Sequence, residues 1–161
     1  MRVEEEGDLV IDITGSYNSE AASKKLSVKF EWTVPEFEYV VNYKWNESRL
    51  ENEIDTAGWS DNYVKITVTN NSNQSVKAAF AWTAAEKVTV VNVTGKFTED
   101  AAGVTALPDN TLVLDSAEPT GGAVSGEAKS KEAYFFITGG YLTETHSGTI
   151  GNITITIGAN D

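Results

Sequence analysis

Residues 63–82 read YVKITVTNNSNQSVKAAFAW, in which two alternating segments flank a polar connection rich in Asn and Ser. Every second residue of each segment is apolar or small, and these residues are Val64, Ile66, Val68, Val76, Ala78, Phe80 and Trp82. A repeat of two residues is the pattern of a strand that buries one face of a sheet. The stretch therefore predicts a β-hairpin in an antiparallel sheet, with these seven side chains facing inward.

The same alternation recurs along most of the chain, at residues 8–14, 26–34, 37–45, 88–97, 112–114, 133–137 and 148–157. Pro35 cannot donate a ladder hydrogen bond, so we expect the chain to break or to change sheet there. Many short strands without a convincing amphipathic helix favour antiparallel sheets packed face to face. We predict an all-β fold, an antiparallel β-sandwich of the Ig-like or jelly-roll-like kind with eight or nine strands. One sheet closed on itself is the alternative.

A chain of 161 residues has the length of one domain, so we expect residues 1–161 to form a single sandwich. Two segments interrupt the strand pattern. In residues 46–62, Ser48 precedes Glu51 by three positions, which is the spacing of a capping box and predicts a short helix; a plain loop is the alternative. Residues 116–130, SAEPTGGAVSGEAKS, are rich in Gly and Ser and predict a flexible loop.

The charge and composition exclude several classes of function. The formal net charge of −12 repels nucleic acid and anionic lipid surfaces. The chain has no Cys, which excludes disulfides, thiol catalysis and cysteine-ligated metals. No apolar run approaches the roughly 20 residues of a membrane span, so we expect no membrane insertion. The start MRVEEEGD lacks the basic and apolar regions of a signal peptide. Because the strands resemble those of surface proteins, as described below, we expect an extracellular or cell-surface location, with the signal peptide absent from this chain.

The sequence contains no constellation that demands catalysis. The single histidine, His146, is followed directly by Ser147, and adjacent residues on an extended chain point apart, so they do not form a nucleophile and base pair. Acidic residues near Trp59 could include an acid and base pair, but a solvated charged surface explains them equally: Glu36, Glu38, Glu51, Glu53 and Asp55. We therefore predict no catalytic residues and a protein that is not an enzyme.

The predicted loops carry oxygen ligands of the kind that calcium prefers, and these are Asp61, Asn62, Glu99, Asp100, Asp109 and Asn110. None of them lies in a DxDxDG motif. We predict no cofactor and no metal ligand set, and keep a structural calcium ion as the alternative.

A ligand-binding site is predicted around Trp59, which lies between Gly58 and Ser60 in the irregular segment. An exposed aromatic ring there could stack on a sugar, while Asp61, Asn62 and Tyr63 supply hydrogen-bonding groups. By contrast, Trp32 and Trp82 occupy apolar faces of alternating strands, where core packing is expected.

The segment YVKITVTNNSNQSVKAAFAW resembles part of many bacterial extracellular Ig-like domains, in which a strand ends in an Asn/Ser turn and returns with a small and aromatic inward face. The ending SGTIGNITITI resembles the closing strand of modular surface proteins of Gram-positive bacteria. The resemblance implies a non-enzymatic spacer, adhesin or filament subunit, and it supplies no functional residues.

Two functions follow as expectations. The first is a structural or adhesive surface protein that binds a protein partner or a second copy through an end strand, either residues 8–14 or residues 148–157. The second is a carbohydrate-binding module that uses the loop around Trp59.

Overall fold

The computed structural model describes residues 2–3, 9–17, 27–33, 36–87, 90–117, 128–143 and 148–160. These residues form eleven strands, which are β1 (Arg2–Val3), β2 (Leu9–Tyr17), β3 (Val28–Thr33), β4 (Tyr39–Asn46), β5 (Glu51–Trp59), β6 (Tyr63–Asn70), β7 (Val76–Ala84), β8 (Val90–Thr98), β9 (Thr111–Leu114), β10 (Lys129–Leu142) and β11 (Gly148–Ala159). The described helical structure is limited to one 3₁₀ turn, Pro108–Asn110.

The strands form three sheets. The terminal sheet has the order β2-β11-β7-β9, the central sheet β3-β6-β10-β8, and the hairpin sheet β1-β4-β5. The described pairings are antiparallel except that of β2 with β11, which is parallel. The prediction of an all-β sandwich is confirmed, and the sheets do not join into one closed sheet. The predicted number of strands is too low, because β5 and the two-residue β1 were not recognised.

The predicted hairpin of residues 63–82 is wrong, although both of its strands exist. β6 belongs to the central sheet and β7 to the terminal sheet, so residues 71–75 cross from one sheet to the other. Alternation correctly places Val64, Ile66 and Val76 in the core, but it does not say whether two inward faces lie side by side or opposite each other. Here they lie opposite each other.

The short helix predicted in residues 46–62 is also wrong, because this segment forms most of a β-hairpin. β4 and β5 pair from Tyr39 with Trp59 to Asn46 with Glu51, with one extra residue on β5, Asp55, where the register shifts between Asn42 and Tyr43. The Asn46 side chain, rather than Ser48, organises the turn: its Oδ1 accepts hydrogen bonds from the backbone N–H groups of Ser48 (3.0 Å) and Arg49 (3.1 Å). An Asn that bonds the backbone two or three residues on favours a turn over a helix start.

The core lies between the terminal and central sheets. Trp82 of β7 and Phe135 of β10 meet across it, with ring centroids 4.6 Å apart, and Phe97 of β8 lies 5.0 Å from Phe135. Each of the two facing rings also covers a glycine of a neighbouring strand: Trp82 lies over Gly151 and Phe135 over Gly95. The chain changes sheet between β3 and β4, on either side of Pro35, as predicted. Most of the predicted flexible loop, residues 116–130, lies outside the described residues.

Candidate functional site

Trp59, the centre of the predicted ligand site, is packed against the domain. Its indole N–H donates a hydrogen bond to the backbone carbonyl of Gly140 on β10 (3.2 Å), and its ring meets Tyr39 edge to face at 5.3 Å. Trp59 is partly buried against the core, and Tyr39 is buried in it. The ring therefore anchors the base of the β4–β5 hairpin to the central sheet, and its stacking surface is used within the chain.

The other three predicted ligand residues do not surround Trp59 as a common site. Asp61 is exposed in the connection between β5 and β6. The Asn62 side chain donates to the backbone carbonyl of Glu36 and thereby fixes this connection. Tyr63 lies on the outer face of the central sheet, where its ring contacts Tyr134 at 5.3 Å and Phe136 at 5.4 Å.

That outer face also carries a charged network. Lys65 Nζ lies 2.8 Å from Glu132 Oε1, and the Tyr134 hydroxyl donates to Glu132 Oε2 at 2.6 Å. The hydrogen bond from Lys65, followed by that from Tyr134, lowers the pKa of the Glu132 carboxyl. The same hydrogen bond raises the pKa of Lys65. Lys65 and Glu132 are partly exposed and Tyr134 is buried, and the three groups satisfy one another, so the network suits a structural role.

Two of the exposed aromatic side chains lie close together on the β4–β5 hairpin, whereas Trp32 on β3 and Tyr141 on β10 are exposed on other strands. Tyr39, Val41, Tyr43 and Trp45 alternate along one face of β4, and the first two are buried, whereas Tyr43 is 44% and Trp45 56% exposed. Cross-strand pairing places Ile54, 59% exposed, beside Tyr43. Tyr39 and Val41, at the base of the hairpin, therefore cover the core. Tyr43 and Trp45 lie on the same face of β4 but beyond the end of the core, where this face is open to solvent. We call the surface of Tyr43, Trp45 and Ile54 the hairpin apolar face.

The opposite face of this hairpin is polar and internally bonded. Asn42 Nδ2 donates to Thr56 Oγ1 and Asn46 Nδ2 to Glu53 Oε2, both at 2.8 Å. Lys44 Nζ lies 3.6 Å from Asp55 Oδ1 and 3.8 Å from Glu53 Oε1. These carboxylates, which sequence reasoning considered as an acid and base pair, therefore contact Lys44. The hairpin is therefore amphipathic. The hydrogen bonds and ion pairs on its polar face hold β4 and β5 together and so support the aromatic side chains on the other face.

The N-terminal strand β2 occupies the edge of the terminal sheet. It pairs in parallel with β11, from Leu9 beside Gly148 to Tyr17 beside Ile157. Ile11 is buried and Ile13 packs against the core. In the described part of the chain, β11 is the only strand that pairs with β2. The same N-terminal segment supplies β1, which pairs with β4.

The candidate calcium ligands are not gathered into one site by the described residues, among which no group of three or more His, Asp or Glu side chains could hold a metal ion. Structural calcium stays an untested prediction. Asp100 instead organises the loop after β8: its two carboxylate oxygens accept the backbone N–H groups of Val104 (3.0 Å) and Thr105 (2.7 Å). These bonds lower the pKa of Asp100 to about 2.

The Asp100 carboxyl predicts a pH-dependent contribution to stability. Because its pKa is lower in the folded state than the ordinary value of 3.8, the stabilisation is complete above pH 3.8 and is lost as the pH falls through about 2. We expect Asp100→Asn to have a smaller free energy of unfolding than the parent at pH 6, and the difference to shrink towards pH 2. Urea unfolding at both pH values measures it, and a difference independent of pH would contradict the assignment.

His146 lies outside the described residues, so its environment stays untested. No helix in the described ranges has the length and hydropathy needed to cross a bilayer.

The comparisons with known proteins add no family. Neither the protein-family models nor the curated proteins include a match to this chain.

Proposed function

We propose that this protein is a non-enzymatic extracellular structural or adhesive surface protein that assembles by exchanging its N-terminal strand between copies. The observation that carries the proposal is the position of β2, an edge strand that pairs in parallel with the C-terminal strand β11. The likeness of residues 63–82 and of the closing-strand sequence to bacterial extracellular surface domains agrees with this role.

The parallel pairing makes β2 a natural element for exchange. Strands joined by a tight turn are held together by their connection, but a parallel pair needs a long crossover. Here β2 and β11 are separated by nearly the whole chain. β2 is followed along the chain by β3, which lies in the central sheet rather than beside it. A copy of β2 from a neighbouring chain can therefore make the same ladder in the same register, as in domain swapping and strand addition.

Exchange would use side chains as well as backbone. Ile11 and Ile13 fill the core next to β11, so a terminal sheet without β2 would expose apolar surface and an unpaired strand edge. A donated strand covers both. Because β1 precedes β2 and pairs with β4, one donated segment would contact both the terminal sheet and the hairpin sheet of the acceptor.

Cysteine trapping in the full chain tests the proposal, and the natural absence of Cys makes the result unambiguous. Thr14 and Thr154 are direct partners in the parallel ladder. We would mix a Thr14→Cys protein with a Thr154→Cys protein at increasing concentration, oxidise the mixture, and examine it by non-reducing electrophoresis, light scattering and negative-stain microscopy. Strand exchange predicts a disulfide between the two variants and concentration-dependent oligomers or filaments.

The control replaces Thr154→Cys by Val104→Cys, whose parent residue is 81% exposed in the loop after β8 and has no place in the β2–β11 ladder. This pair should cross-link no more than random collision allows. A monomer at every concentration, together with an exclusively intramolecular disulfide in the double variant Thr14→Cys/Thr154→Cys, would overturn the proposal.

A further inference from the structure

We propose that the hairpin apolar face is a binding platform for a neutral glycan chain. Tyr43 and Trp45 lie two positions apart on one strand, which places their side chains about 7 Å apart on the same side. Aromatic rings at this spacing can stack on the C–H faces of successive pyranose units of an extended chain. Asn52, which pairs with Trp45, adds an exposed amide on the same face for the sugar hydroxyls.

The hairpin presents this platform in a preorganised form. At its base, Trp59 donates to Gly140 and packs against Tyr39, so the hairpin is fixed to the central sheet. At its tip, the Asn46 side chain accepts a hydrogen bond from the backbone of the turn. On its polar face, Lys44 forms ion pairs with Glu53 and Asp55. A rigid support keeps the cost of ordering the binding face low.

The exposed area argues against a second copy of the chain as the main occupant. About half of each of Tyr43, Trp45 and Ile54 is exposed, which gives a surface on the order of 300 Å². A stable protein interface buries about 800 Å² from each partner. A face of this size suits one or two sugar rings better than it suits a folded partner.

The charge of the hairpin selects among ligands. Its turn and polar face carry more carboxylates than cations: Glu47, Glu51, Glu53 and Asp55, against Lys44 and Arg49. With a net charge of −12 over the whole chain, this surface repels anionic lipid headgroups and uronate or sulfated polymers. We therefore assign an uncharged glycan, with equatorial hydroxyls that leave flat C–H faces.

The test titrates the full chain with cellohexaose and with chitohexaose, followed by tryptophan fluorescence and calorimetry, and uses oligogalacturonate as the anionic comparison. We expect at least one neutral hexamer to bind and oligogalacturonate not to bind. Trp45→Ala and Tyr43→Ala should each weaken binding by about tenfold or more.

The matched control is Trp32→Ala, since Trp32 is a half-exposed tryptophan on β3 of the central sheet, 48% exposed against 56% for Trp45. Binding should survive that change. The proposal is overturned if no neutral hexamer binds, if affinity survives Trp45→Ala, or if Trp45→Ala abolishes oligomers instead of glycan affinity. The platform and strand β2 are separate surfaces, so the cysteine-trapping result and this result can fail independently.

Discussion

Asn70→Ala should lower the free energy of unfolding by about 3 kcal/mol, although Asn70 lies at the end of a strand in a segment that reads as a surface turn. The Asn70 side chain is fully buried between the two sheets. Its Nδ2 donates to the carbonyls of Gln74 and Asp115, both at 2.9 Å, and its Oδ1 accepts the N–H of Ser72 at 2.8 Å. Truncation to alanine removes all three hydrogen bonds; the one from Ser72 is buried and the two to carbonyls are partly buried. A buried group left without its partner costs on the order of 1–3 kcal/mol, and the partly buried carbonyls add less because water can reach them.

The Asn70 amide also connects parts of the chain that are distant in sequence. It ties the crossing segment to Asp115 after β9, and the neighbouring Ser72 accepts the N–H of Ser27 through Oγ at 2.7 Å. The side chain therefore helps to close the end of the sandwich where β6 passes to β7. Its loss should speed local opening of this end as well as lower global stability.

Asn73→Ala is the matched control, because Asn73 is exposed in the same connection. Urea unfolding of the two variants measures the difference, with equal slopes expected. Asn70→Asp should be at least as harmful as Asn70→Ala at neutral pH, since a carboxylate would face two carbonyl oxygens. Equal stability of Asn70→Ala and Asn73→Ala would contradict the role of this amide.

The sequence predicts the inward faces of the strands well, because burial of one face imposes a two-residue repeat wherever the strand lies. Val64, Ile66 and Val68 are buried as expected, and so are Ile153, Ile155 and Ile157. The sheet to which each strand belongs is not predictable in this way. Two strands that pair side by side in one sheet show the same two-residue repeat as two strands that face each other across a core. The polar NNSNQS connection is compatible with either arrangement.

The candidate site was harder to predict for a related reason. Alternation places Tyr43 and Trp45 on the same face as the buried Val41, but only the extent of the covering sheets decides where burial ends. Trp32 also follows the inward row of β3 and is nevertheless half exposed, because β3 lies at the edge of the central sheet. For Trp59 the prediction fails in the opposite direction. The flanking Gly58 and Ser60 indicate an exposed ring, but Trp59 pairs with the buried Tyr39 and packs against the core.

The second large effect is expected at Gly95, where alanine should destabilise the fold by on the order of 3 kcal/mol. A Cβ at Gly95 would lie 2.1 Å from Phe135 Cζ and 2.9 Å from the carbonyl oxygen of Phe136. Phe135 cannot easily move away, because its ring is fully buried and packed against Trp82 and Phe97. The added methyl group must therefore displace the aromatic contact that joins the two sheets.

Gly58→Ala provides the control, since a Cβ at Gly58 would have no atom within 4 Å. Thermal and urea unfolding should show a small effect for Gly58→Ala and a large one for Gly95→Ala, accompanied by a changed near-ultraviolet circular dichroism signal from Trp82. A smaller residue at position 135 should relieve the clash, so we expect the double variant Gly95→Ala/Phe135→Leu to be more stable than the sum of the two single effects predicts. The prediction would be contradicted if the two single losses in free energy of unfolding simply added in the double variant, or if Gly95→Ala were as stable as Gly58→Ala. Either result would show that the packing of the Phe135 ring does not require glycine at position 95.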